Sequence, residues 1–447
     1  MLPSRLRAPS VALVCVIASA LAGGCTSNDG DRATASPPRE PASAVDAAST
    51  AATTTPRGNL DGQLTIGSLM PLQGDGAATG IPMATGVGMA VRDINVAGGV
   101  NGAPVVLASA DEGDSVDTAA VALDELLAGN LVDSVVGPST SRTTLAVLDR
   151  LVRTEVPACS PAATADALSD NPAGATFIRT IGSDVLEGTA VGSVIALTGR
   201  QRVAVLAPDD DYGRGMAEAI QAQLETEGAA VSAVVPYRAE DTNVQPVVAA
   251  ALESQPEAIA VVGLPEAGGR LLAALKDAGV VPGEGDGQVL VVVTDGLRIP
   301  NLYQRVTPGS RDATAGVWGV APSTVPVEAT SFVETFGAFA PGVAVDYAGF
   351  AYDCTVLLAL ASQSAGSDDP LLIAAHLGNV SRGGVRCDSY AMCATLLDGG
   401  RNIDYAGVTG AVDLTNGGDA DRGFYDVFEF NDDGSTTVRT RSLVRLP

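Results

Sequence analysis

Residues 202–235, RVAVLAPDDDYGRGMAEAIQAQLETEGAAVSAVV, decide the fold class. An unbroken apolar strand over 202–206 gives way to a helical pattern over 215–225 and then to a second strand over 231–235. Apolar strands that run without alternation suit a parallel sheet covered on both faces. Moving outward, the same unit recurs as a helix over 244–252, a strand over 258–262, a helix over 268–278 and a strand over 289–293. Toward the N-terminus, strands over 64–69, 105–109 and 132–136 alternate with helices over 81–96, 116–128 and 143–152, and the pattern restarts beyond 177–180 with a helix from about 186. Two consecutive sets of βα units predict an α/β protein with two doubly wound parallel-sheet lobes. Elements from 314 onward must complete both lobes, so the chain crosses between them more than once. Ligands of open α/β sheets collect at the carboxyl ends of strands, which puts the expected site in a cleft between two such ends.

Composition narrows the function. At 447 residues the chain is long enough for two domains behind whatever precedes them. Its 26 basic and 52 acidic residues leave a formal charge of -26, with no basic run, which argues against a nucleic-acid or anionic-membrane partner held by charge. The hydrophobic fraction is 46%, yet only 8 Phe, 8 Tyr and 1 Trp contribute rings, so an aromatic side chain in a cleft is informative. The single histidine, His376, sits in LLIAAHLGNV, a short helical pattern with no serine or cysteine context pointing to it. Without a G-x-S-x-G turn, a histidine cluster or C-x2-C spacing, nucleophilic triads and zinc sites lack support, and no metal or cofactor is expected. A carboxylate-dependent enzyme keeps no positive support either.

The first 25 residues carry an address. Arg5 and Arg7 precede an apolar run over 11–21 and then Leu21-Ala22-Gly23-Gly24-Cys25. The run is too short for a membrane-spanning helix of about 20 residues. It resembles a bacterial lipoprotein signal, which implies removal of residues 1–24 and a lipid on Cys25, although Leu21 stands four positions before the cysteine. Residues 25–62 are then a lipidated tether, rich in Thr, Ser, Ala, Pro, Gly and Asp and too poor in apolar side chains to order itself by burial.

Six pieces carry a more specific resemblance. Ile66 to Gly74 (IGSLMPLQG), Ala90 to Asn95 with Gly98 to Gly102, Cys159 to Thr164 (CSPAAT), Phe177 to Thr180 (FIRT), Asp211 to Gly215 (DYGRG) and Tyr347 to Asp353 (YAGFAYD) occur in the order and spacing of the substrate-binding proteins of branched-chain amino acid (Leu/Ile/Val-type) ABC transporters, with their periplasmic-binding-protein type 1 fold. The segment from Cys387 to Phe430 is similar to that of members from high-GC Gram-positive bacteria. The resemblance implies two lobes joined by three crossovers near 179–181, 316–320 and 407–411, the first lobe holding 63–179 and 319–408, the second 181–317 and 411–443.

It also implies a ligand frame. Gly137-Pro138-Ser139-Thr140-Ser141 follows a strand and enters a helix, where backbone N–H groups favour an anion, and Ser141 matches the family's carboxylate-binding serine. Thr164 matches a second hydroxyl, Ala162 a backbone carbonyl that accepts from the ligand ammonium, and Asp295 the acidic partner of that ammonium, one methylene shorter than the family's glutamate. Tyr212 matches an aromatic closing from the second lobe and Tyr347 a phenylalanine on the first-lobe wall. Thr79 and Leu264 each replace a tyrosine, so the side-chain pocket is altered while the zwitterion frame is kept. Read from residues alone, Ser141 is equally a helix cap, Asp295 a loop carboxylate, and the tyrosines packing residues. Cys387 and Cys393 flank a short turn and are expected to pair in an oxidising compartment, whereas Cys159 and Cys354 lie too far apart in sequence for any geometric expectation. The expectation is a monomeric extracytoplasmic lipoprotein that hands a small amino acid-like ligand to an ABC permease, with a sensing role beside a separate signalling receptor as the alternative.

Overall fold

The computed structural model describes residues 60–446 except 75, 129–131, 170–175 and 326–329. Cys15, the expected lipoprotein signal, Cys25 and nearly all of the expected tether lie outside the described residues. Contacts divide the chain into two units, one ending at Thr54 and one starting at Thr55, and all the described elements lie in the second.

The first sheet contains β1 (Thr65–Met70), β2 (Val106–Asp111), β3 (Ser134–Val136), β4 (Ala158–Ser160) and β5 (Phe177–Arg179), all parallel, in the order β2-β1-β3-β4-β5. One face is covered by α1 (Ala77–Val96), through Met83, Val87 and Ile94, and the other by α2 (Val116–Leu127) and α3 (Ser141–Thr154), through Leu123, Leu126, Val147 and Leu151. The α1 helix starts at Ala77, four residues before the expected start. Glycines make that first turn read as a loop, but Gly80 is required there: a Cβ would stand 1.8 Å from the Pro71 carbonyl oxygen.

After α4 (Asp184–Leu197) the pattern repeats. β6 (Arg202–Pro208), β7 (Ala230–Tyr237), β8 (Ala258–Val261), β9 (Leu290–Val293) and β10 (Trp318–Pro322) stand in the order β7-β6-β8-β9-β10, the same topology as the first sheet. Helices α4 and α5 (Asp211–Thr226) cover one face through Leu186, Ile195, Met216 and Ile220, and α6 (Gln245–Glu253) and α7 (Pro265–Asp277) cover the other. A short α8 (Tyr303–Val306) follows β9. The central strands of both parallel sets are buried on both faces, which is why they read as continuous apolar runs.

The remaining elements return to both cores. After α9 (Thr330–Phe339), α10 (Ala348–Ala365) lies in the core of α1, followed by α11 (Pro370–Ser381), β11 (Val385–Cys387), α12 (Tyr390–Asp398), β12 (Ile403–Gly407) and β13 (Gly410–Ala411), these three strands forming a small sheet of their own. The hairpin of β14 (Arg422–Phe430) and β15 (Thr436–Arg445) then joins the second sheet antiparallel to β10, an edge that the all-parallel expectation lacked.

All of β10 is hydrogen-bonded into the second sheet, which the chain leaves after Pro322. Val412, Leu414 and Ala420 lie in the first core, and β14, from Arg422, returns to the second sheet. Sequence patterning cannot locate either point, because an apolar strand reads alike in both sheets and only its neighbours decide. The first crossing runs from β5 through 180–183 into α4. Both Cys387–Cys393 and Cys159–Cys354 are disulfide-bonded, the second tying β4 to α10 across 195 residues of chain with Cα atoms 5.5 Å apart. His376 shares a 2.9 Å hydrogen bond with Ser364, joining α10 to α11.

Arg179 is a fully buried charge, with no exposed side-chain surface. Its Nε donates to Asp419 at 2.6 Å, its Nη1 to the carbonyls of Ala163 and Ala165 at 3.2 and 2.9 Å, and its Nη2 to Ser169 Oγ at 2.7 Å. Arg179→Met leaves Asp419 buried and unpaired and is expected to cost about 3–5 kcal/mol in urea denaturation. A loss below about 1 kcal/mol would show that water or chain movement replaces the guanidinium.

Candidate functional site

Both sheets reverse strand order at one place, between β1 and β3 in the first and between β6 and β8 in the second. Beyond these strands stand Thr79, Ser141 and Tyr212 in the first turns of α1, α3 and α5 and Leu264 just before α7, while β4 and β9 deliver Thr164 and Asp295. Parallel topology gathers ligand-binding loops at such points.

On the first-sheet side, β3 is followed by Gly137, whose φ of +115° and close approach to the Leu69 carbonyl exclude a side chain. Glu112, wholly buried at the end of β2, accepts from Ser139 N at 2.8 Å and from the Thr143 hydroxyl, fixing the loop and the first turn of α3 together. Burial pushes the Glu112 carboxyl upward, and the bonds from Thr143 and Ser139 pull it back. Thr140 caps α3 by accepting from Thr143 N at 3.2 Å, which leaves Ser141 free of the capping role. Instead, the Ser141 hydroxyl accepts from the N–H groups of Thr164 and Ala165 at 3.1 and 3.0 Å and keeps its own proton to donate. Ser141 and Thr164, distant in sequence, are therefore adjacent, and Ala162 lies in the same turn, its N–H at 3.5 Å from Ser160 Oγ.

On the second-sheet side, Asp295 begins a 3-10 turn directly after β9. Thr294 accepts from Gly263 N at 3.3 Å and lies 3.4 Å from the Tyr212 hydroxyl, joining the loops of β6, β8 and β9 at one point. Asp210 caps α5 through Gly213 N at 2.8 Å and so places Tyr212 in the first turn. Tyr347 has φ of +61°, a left-handed conformation that is uncommon for a large side chain and concentrates at functional sites. Burial raises the phenols of both Tyr212 and Tyr347, and the fields of Asp295 and Glu187 add to the rise, so the two rings stand near the same carboxylates. Leu264 is 62% exposed, and Thr79 is exposed with its hydroxyl donating to Gly76 O at 3.1 Å; no described contact joins Thr79 to the others.

Sequence reasoning missed two central groups. Asp184 and Glu187, on the first turn of α4, are 2% and 1% exposed. Asp184 N donates to the Thr164 carbonyl at 2.9 Å, and Glu187 Oε1 accepts from Asp295 N at 2.8 Å. Asp184 Oδ2 and Glu187 Oε2 are buried without a hydrogen-bond partner, and no ion pair among the described residues includes Asp184, Glu187 or Asp295. Acids in a first helical turn ordinarily complement the helix dipole at the surface, which is how these read in sequence. The one available signal is their position right after the FIRT crossing.

Burial is the main cause that raises all three carboxyls. Asp184 reaches about 7, with the Asp295 field adding to the rise and Thr164 and Arg179 opposing it. Glu187 rises well above the usual range, with Asp295 and Asp184 as further causes. Asp295 is also raised, but Gly296 N donates to it and the neighbouring Glu187 carboxyl favours its charged form. Between the unfolded value of 3.8 and about 7, the folded chain keeps a proton on Asp184 that the unfolded chain has lost. That stability is complete at low pH and declines as pH rises through the window. Asp184→Asn should remove the decline, raising the melting temperature over the parent by about 2 °C or more at pH 8 and by least near pH 4. Parallel profiles for the two proteins would contradict the assignment.

A family profile described as periplasmic binding protein matches residues 63–421. A chemotactic signal transduction system substrate-binding protein, BasB, of Halobacterium salinarum is 27% identical over 363 residues, 79% of this chain and 83% of that one. An amino acid binding protein of Pseudomonas aeruginosa is 27% identical over 313 residues, 68% of this chain and 79% of its own. Among solved structures, the branched-chain amino acid transporter substrate-binding protein LivJ of Streptococcus pneumoniae, in complex with isoleucine, superposes with a TM-score of 0.64 at 21% identity, covering 86% of this chain and 99% of that chain. The leucine-binding protein LivK of Thermotoga maritima gives 0.65 at 20% identity, with the same coverage. The repeated sheet topology and the profile match over most of the chain agree: this protein belongs to the periplasmic binding protein family.

Proposed function

We propose that the protein is an extracytoplasmic solute-binding lipoprotein that captures a small amino acid or amino acid-like ligand between its lobes and delivers it to an ABC permease. The observation that supports this reading is Asp184 linking the two halves: its N–H donates to the Thr164 carbonyl, beside Ser141, and it feels the field of Asp295, which also acts on Tyr212. Ser141, Thr164 and the N-terminus of α3 supply donors for an α-carboxylate. Asp295 and the Ala162 carbonyl receive the ammonium, and Tyr212 and Tyr347 close over the ligand body. Thr79 and Leu264 set the outer wall, where smaller side chains than the family's tyrosines leave room. Cys25 carries the lipid that keeps the body at the outer face of the cytoplasmic membrane, and the tether to residue 62 gives it reach. The likeness of the closing segment to proteins of high-GC Gram-positive bacteria suits that attachment.

The similarity to BasB favours a second reading, in which the same clamp reports its ligand to a separate signalling receptor. Loss of ligand uptake in a deletion strain supports transport, whereas loss of taxis or signalling with uptake intact supports sensing.

The binding frame is tested by calorimetry on ligand-stripped protein. Asp295→Asn keeps volume and removes the charge, so affinity for an amino acid ligand should fall roughly 10-fold to 150-fold if the contact contributes about 1.5–3 kcal/mol. Ser141→Ala should cost less, because backbone donors remain. Leu264→Tyr should change the ranking among amino acids. Equal affinity of Asp295→Asn and the parent would remove Asp295 from the site. For attachment, mass spectrometry of the mature N-terminus should find a lipid on Cys25, and an unmodified chain beginning elsewhere would refute the lipoprotein reading.

A further inference from the structure

A zwitterion with one ammonium does not account for the charge at this site. Asp184, Glu187 and Asp295 form a continuous acidic group: Glu187 accepts from Asp295 N, and the fields of both Asp295 and Glu187 reach Tyr212, Tyr347 and Tyr425. Each of the two α4 acids leaves one oxygen buried and unpartnered. The neighbouring cations are already committed. Arg179 is engaged by Asp419 and three further acceptors, and Arg298 by Asp426 at 3.0 Å and by the Phe428 ring. Among the described residues no set of three acidic, cysteine or histidine groups is arranged to hold a metal ion.

Buried carboxylates persist where a counter-charge and hydrogen bonds complete them. The ammonium assigned to Asp295 completes one of the three. Asp184 and Glu187 have no cationic partner among the described residues, their only side-chain hydrogen bonds being to Thr164 and to the Asp295 carboxyl, and Asp184 lies against Thr164, on the side where the ligand carboxylate is expected. A carboxylate is repelled there unless a positive group stands between the two. Separated nitrogens on one short chain meet this requirement, with donors for the orphaned Oδ2 and Oε2.

We propose that the ligand carries a second cationic nitrogen, as a diamino or guanidino acid, and that Asp184 and Glu187 receive it. This rests on the amino acid reading of the cleft and names its ligand class. Glu187 is an unforced choice for a helix-start position facing a neutral ligand, since glutamine has the same size without the charge.

The test is calorimetry on the stripped, otherwise intact protein with L-ornithine, L-arginine and L-leucine. At pH 7.5 ornithine or arginine should bind at least about 10-fold tighter than leucine, and Glu187→Gln should reduce that preference by about 10-fold or more. If Glu187→Gln does not fold, Asp184→Asn provides the same comparison. Leucine binding as tightly as either basic amino acid in the parent protein would overturn the inference and leave the amino acid reading standing. Binding of none of the three would overturn both.

Discussion

The buried guanidinium of Arg179 is the joint on which the rest of the molecule depends. It ends β5 at the first crossing, grips Asp419 just before the last one, and holds the carbonyls of Ala163 and Ala165 on either side of Thr164. A lysine could not make these bonds from one planar group. The turn carrying Thr164 is thereby fixed to the strand that ends at the first crossing. The same charge tempers Asp184, so the joint also sets the electrostatics of the cleft. Asp353 is held by Tyr405, Val408 and Thr409, giving the returning chain a second fixed point.

Parallel topology explains why much of the candidate site was legible in the sequence. Apolar runs such as 202–206 and 258–262 suit central strands, and the carboxyl ends of such strands hold the functional loops. Ser141, Thr164, Tyr212 and Asp295 could be named because the resemblance to branched-chain amino acid substrate-binding proteins implies them, and in the structure each follows a strand within a few residues. Pairing across long separations was not legible: β10 and the stretch ending at Asp421 have patterns that fit either core, and Cys159 meets Cys354 only when α10 packs on β4. Glu112, Asp184 and Glu187 were hidden for another reason. Acids at strand ends and helix starts usually face water, and only tertiary packing shows that these do not.

The cleft is therefore built around an electrostatic imbalance. Three raised carboxyls share space with tyrosines, and no ion pair among the described residues completes them. Burial favours the protonated forms of Asp184, raised to about 7, and of Glu187, which lies beside Asp295. A cationic ligand competes with those protons for the same oxygens. A ligand contacted from both sheets would favour the arrangement in which the two halves are together, which would link its capture to proton loss.

Proton counting tests this account most directly. Calorimetric titration of the stripped protein with its amino acid ligand at pH 7, repeated in phosphate and Tris, whose ionisation enthalpies differ, gives the number of protons exchanged on binding. The titratable groups around the proposed site are Asp184, Glu187, Asp295, Tyr212, Tyr347 and Tyr425, with Arg179 and Arg298 behind them, and Asp184, raised by burial to about 7, is poised to lose its proton there. The account predicts release of about one proton per ligand bound. Identical binding enthalpies in the two buffers would contradict it.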